Sequence, residues 1–154
     1  MFWSRQKGQK VRVVVGFFAA VLAAYLVGCL AVSQGNIAAV TAMGFEITLG
    51  QRWQTWLHDL THMVNIYLPL IAIAYLIALP VTAGIIRLTA AQRWVGYVAG
   101  GFVALIAIHV TIKLVLGMSG VAPTRTLVGL VMQGVAGAVG GYCYYKVTSF
   151  KAVG

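Results

Sequence analysis

The sequence predicts an all-α integral membrane protein: a four-helix bundle with both termini on the cytoplasmic side and an interfacial helix before the second span. Three observations predict it. Hydrophobic residues make up 61% of the 154-residue chain and charged residues only 8%, whereas a soluble domain carries about a quarter charged residues. Four apolar runs are each about 20 residues long, which a helix needs to cross a hydrocarbon core of ~30 Å. The basic residues cluster at the ends of these runs, consistently on one side.

The first run extends from about Val11 to Ser33, the second from about Met63 to Ile86, the third from about Trp94 to Leu116 and the fourth from about Thr126 to Tyr145. Together they predict one membrane domain over residues 1–154. Arg5, Lys7, Lys10 and Arg12 precede the first run, Arg87 and Arg93 lie between the second and third, and Lys146 and Lys151 follow the fourth. Arg52, Lys113 and Arg125 fall on the opposite side with both acids, Glu46 and Asp59. The asymmetry predicts cytoplasmic termini, most naturally in a bacterial inner membrane. A net charge of +9 distributed in this way does not form the aromatic-interleaved patch of a nucleic-acid binder.

Residues Met1 to Ser33 resemble a secretory signal, and Leu26-Val27-Gly28-Cys29 resembles a lipobox whose cysteine would be lipidated. The apolar stretch is long for a signal peptide, so an uncleaved anchor is expected, with Gly28 and Cys29 serving helix packing. Cys29 and Cys143 are placed near opposite faces of the membrane, too far apart for a disulfide.

Between the first two runs, residues 34–62 form the outer loop. Gly35 to Gly50 reads as irregular, with a short extended piece over Phe45 to Leu49. Trp53, Trp56, Leu57, Leu60 and Val64 recur every three or four residues, giving the amphipathic pattern of an interfacial helix over Arg52 to His62.

Packing is expected through small residues, because apolar burial gives lipid-embedded helices little reason to associate. Gly16, Ala20, Ala24 and Gly28 form a stripe on the first span. Gly96 and Gly100 form one on the third, and Gly134, Gly137, Ala138, Gly140 and Gly141 mark the fourth. The third and fourth spans are expected to approach through these glycines near the cytoplasm and to diverge outward, with Pro69 and Pro80 kinking the second.

Chemistry is expected in the outer half. His58 and His62 share a helical face with Asn65, but two imidazoles are at most half of a zinc site, and Asp59 stands where the metalloprotease pattern His-Glu-x-x-His needs glutamate. No metal and no cofactor are therefore predicted. Lys113, His109, Arg125 and Gln133 are expected to converge on a pocket, with Asp59, His62 and His58 nearby and excess positive charge suited to an anionic or lipid-like guest. Haem between His62 and His109 is the sharpest cofactor alternative, but their depths differ by roughly 14 Å at the helical rise. No span contains a carboxylate for coupled transport, and no nucleophile–base set points to catalysis. Lipids, a protein subunit or a second copy are the expected partners. The functional expectation is a guest- or partner-binding membrane protein; the alternatives are an accessory subunit of a larger complex and a haem- or quinone-binding redox subunit.

Overall fold

The computed structural model describes residues 2–117, 120 and 122–149, the side chains of residues 2–7 excepted. Lys151 and the side chains of Arg5 and Lys7 therefore lie outside it. The described residues form five helices and no strand. They are α1 (Phe2–Ala42), α2 (Leu49–His62), α3 (Val64–Thr89), α4 (Arg93–Leu116) and α5 (Leu127–Ser149), with a 3-10 turn at Ala122–Arg125 before α5. α1, α3, α4 and α5 are long and apolar enough to cross a membrane, which points to an integral membrane protein.

α1 is longer than the sequence reading placed it. It does not stop near Ser33 but continues to Ala42, and residues 35–42, expected to be irregular, are helical. The polar run Ser33 to Asn36 stays helical because neighbours support it. The Arg52 side chain donates to Gln34 Oε1 at 3.1 Å, and Pro123 sits against Gly35, where an added Cβ would come within 2.8 Å of the proline ring. The helix yields to a turn at Gly44, whose φ of 91° suits glycine. Residues 45–48 have no regular structure, and no strand forms there.

α2 begins three residues earlier than expected, and its start is a capping box. Thr48 Oγ1 accepts from the Gln51 N–H at 3.3 Å, while Gln51 Oε1 accepts from the Thr48 N–H at 2.8 Å. Thr48→Ala should cost about 1 kcal/mol of stability, read as a lower melting temperature in detergent; no change would show the cap to be dispensable. Trp56 and Leu60 pack on the core, whereas Trp53 and Leu57 stay exposed. α2 runs antiparallel to α1, with Arg52 at Gln34 and the Leu60 carbonyl at Tyr25. Met63 joins it to α3 with almost no break, and α3 continues as one helix through Pro69 and Pro80.

The bundle is organised around α5. α1 lies against it antiparallel, Gly16 beside Tyr144 and Thr148, and Gly140 beside the Ala20 carbonyl. All four small residues of the α1 stripe are buried, Gly28 under the Tyr67 ring of α3. On the other side α4 meets α5 backbone to backbone: Gly101 faces Gly137, and Gly141 faces Tyr97. Gly134 receives the Phe102 ring. Gly96 and Gly100, expected to serve this contact, instead face Ile86 and Thr82 of α3. At the end carrying α2, the 3-10 turn packs on α1 through Pro123 and Gly35.

Candidate functional site

A polar cluster lies inside the bundle, toward the end that carries α2. The Tyr67 hydroxyl donates to Gln133 Oε1 in a short hydrogen bond, and Gln133 Nε2 donates to the Gly28 carbonyl at 3.4 Å. These bonds tie α3, α5 and α1 together. The Tyr25 hydroxyl donates to the Leu60 carbonyl at 2.6 Å, fastening α2, and the Tyr25 ring lies 5.9 Å from that of Tyr67. His109 is 3% exposed; its ring meets Tyr67 edge to face at 6.1 Å. His109 Nδ1 lies 2.7 Å from the Leu105 carbonyl. A carbonyl can only accept, so Nδ1 carries the proton and Nε2 the lone pair. That Nε2, together with Ser33 Oγ, Trp56 Nε1 and Asp59 Oδ2, is buried with no hydrogen-bond partner among the described residues.

The residues singled out from the sequence do not all meet. His109 and Gln133 belong to this interior cluster around Tyr67. His58 and His62 are on the exposed face of α2, their rings stacked 3.8 Å apart and 9° from parallel. His62 Nδ1 lies 2.9 Å from the His58 carbonyl, and His58 Nδ1 is 3.7 Å from Asp59 Oδ1. Stacked rings lie side by side and do not converge on one ion. Among the described residues no group of three or more His, Cys, Asp or Glu side chains could hold a metal. His62 is exposed on α2 and His109 buried on α4, beside Tyr67.

Lys113 is exposed on the last turn of α4 and forms no hydrogen bond or ion pair among the described residues.

Arg125 occupies a different place. It lines a groove of ≈ 830 Å³ between the second half of α1, the 3-10 turn and the start of α5, and Lys113 does not line it. Val27, Leu30, Ala31, Val128 and Met132 form apolar walls, and Gln34, Asn36 and Thr126 add polar groups. The turn is held in place. Thr126 Oγ1 donates to the Pro123 carbonyl and accepts from the Gly129 N–H, both at 3.0 Å. Arg52 does not line the groove, but its guanidinium bonds Gln34, which does. Neither acid of the chain lines the groove.

No protein-family model, curated protein or solved structure matches this chain.

Sequence reasoning missed Tyr67 and Tyr25. Their signal was a phenol well inside an apolar run, where the hydroxyl must find a partner within the protein.

Proposed function

We propose that this is an inner-membrane protein that binds an anionic, lipid-like guest in the groove between α1, the 3-10 turn and α5, with Arg125 as the headgroup partner. The observation that carries the reading is the pairing of an exposed arginine, without a partner among the described residues, with an apolar groove that no acid lines and whose Gln34 is held by a second guanidinium, that of Arg52. Acyl chains gain little by exchanging lipid for a protein groove, since lipid tails are equally apolar. Selectivity therefore comes from the headgroup, through charge-assisted and potentially bidentate guanidinium bonds to phosphate or carboxylate. Lys113 falls out of the binding set and becomes the control.

Purified protein that retains an anionic lipid by native mass spectrometry should lose it about tenfold more readily after Arg125→Gln, the equivalent of one charge-assisted hydrogen bond. Lys113→Met should leave retention unchanged. Equal retention by wild type and Arg125→Gln, or equal retention of zwitterionic and anionic lipids, would remove the proposal.

The distribution of basic residues supports cytoplasmic termini, and in that orientation the groove faces the outer leaflet. Single cysteines at Gly50 and Arg87, both exposed, should then react with impermeant reagent from the outside and the cytoplasmic side respectively. Reaction of Gly50→Cys from the cytoplasm reverses the assignment.

A second reading, an accessory subunit, rests on another feature. A groove of ≈ 590 Å³ between α3 and α4 is lined by small residues including Ala74, Ala78, Ala99, Gly100 and Ala107. Such a smooth face suits close approach of a partner's spanning helix. Co-purification of a stoichiometric partner lost on Ala99→Leu favours this reading.

A further inference from the structure

The opposite end of the bundle holds a second cavity, of ≈ 580 Å³, to which all four long helices contribute. Its mouth gathers three arginines from different helices: Arg12 of α1, Arg87 at the end of α3 and Arg93 at the start of α4. Arg87 and Arg93 are exposed and form no hydrogen bond or salt bridge among the described residues. The acidic side chains cannot neutralise them, for Glu46 and Asp59 lie at the α2 end. Deeper in, the cavity is lined by Tyr75, Tyr97 and Tyr144. The last two rings meet edge to face at 4.9 Å, and Tyr75 is fixed by its bond to the Gly137 carbonyl at 2.6 Å.

One wall says what kind of guest this is. Val13, Val14 and Leu76 line the cavity and yet are 44%, 55% and 66% exposed. The cavity thus opens sideways onto an apolar surface of spanning helices as well as toward its arginines. A small soluble anion would use only the arginines; an amphiphile uses both.

The geometry points to a phospholipid site in the leaflet beside the termini: a lipid phosphate bound by Arg87 and Arg93, its acyl chain lying along Val13, Val14 and Leu76. Guanidinium forks match phosphate oxygens in pairs, which an ammonium does not. Basic pockets between spanning helices on the cytoplasmic side are a recurrent means of holding anionic headgroups. The site is separate from the Arg125 groove, and neither requires the other.

The test uses the full chain carrying Arg125→Gln, so that the other groove contributes no headgroup binding. The probes are phosphatidylglycerol and phosphatidylcholine with matched acyl chains, followed by native mass spectrometry, with glycerol 3-phosphate as soluble competitor. Phosphatidylglycerol should be retained in preference to phosphatidylcholine, and Arg87→Gln/Arg93→Gln should weaken that retention about tenfold or more. Val13→Trp narrows the apolar wall without touching the arginines and should weaken retention too, which serves if the double variant does not fold. Excess glycerol 3-phosphate should displace little lipid. Equal retention of the two lipids, or retention unaffected by both sets of changes, overturns the proposal. Full displacement by glycerol 3-phosphate assigns the site to a soluble phosphate and overturns it as a lipid site.

Discussion

Replacing Gly101 or Gly137 with alanine is expected to cost about 3 kcal/mol of stability in detergent, the upper part of the range for overpacking a close contact. One added carbon does this because of what it meets. A Cβ at Gly137 would overlap the Gly101 carbonyl oxygen, and one at Gly101 would overlap that of Gly137. A flexible side chain could turn aside, but a helical carbonyl cannot, so α4 and α5 must separate along the contact. Gly84→Ala is the matched control. Nothing lies within 4 Å of a Cβ there, and removing a glycine from a helix interior should add about 1 kcal/mol. Unfolding followed by circular dichroism separates the outcomes. Unchanged melting for both Gly101→Ala and Gly137→Ala would mean that the two backbones do not touch.

The second large effect is expected at Tyr67, which is 1% exposed and joins three helices. Tyr67→Ala should cost about 3–5 kcal/mol, as for other buried aromatic truncations. Tyr67→Phe keeps the ring but leaves Gln133 Oε1 without its donor, and should cost about 1–2 kcal/mol. The hydroxyl is also what Gly28 makes room for, since a Cβ on residue 28 would collide with it. Gly28→Ala should therefore be much less harmful in the Tyr67→Phe background than in wild type. A double-mutant cycle reads this directly. Strict additivity would show that the glycine serves some other contact.

Much of the architecture was legible before any coordinates. Four apolar runs became four long helices, and an amphipathic stretch with two tryptophans became α2. What escaped was information held by tertiary neighbours. Ser33 to Asn36 looks like the exit of a span only if nothing supports it; Arg52 and Pro123 do. Thr48 and Gln51 carried a readable start signal three residues ahead of the assigned one. Spacing selected Gly96 and Gly100 as a motif, but the i, i+4 pattern says nothing of which neighbour faces it, and α5 is met by Gly101.

The anticipated pocket failed for a related reason. Helical periodicity puts His109 and Lys113 near one face, but His109 is buried beside Tyr67 and Lys113 is exposed on the last turn of α4. Arg125 was singled out as one of the basic residues expected to give the outer half its excess positive charge. The groove beside it was only half visible, because Val27, Leu30 and Ala31 of its far wall belong to the expected first span while Gln34 to Ala39 belong to the part of α1 taken for loop.

The prominence of α5 in the packing has a consequence for biogenesis. The broadest contact in the molecule joins the first helix to the last, and the next joins the last to its predecessor. As the chain is threaded from the ribosome into the bilayer, α1 must wait, its smooth stripe turned to lipid, while α3 and α4 are inserted. Gly28 can meet Tyr67 of α3, but only the arrival of α5 gives Gly16, Ala20 and the Gly101 face of α4 something to close on. A polypeptide stalled before Leu127 would thus leave two unsatisfied adhesive faces in the membrane, a form that quality-control proteases can recognise and that the finished bundle hides.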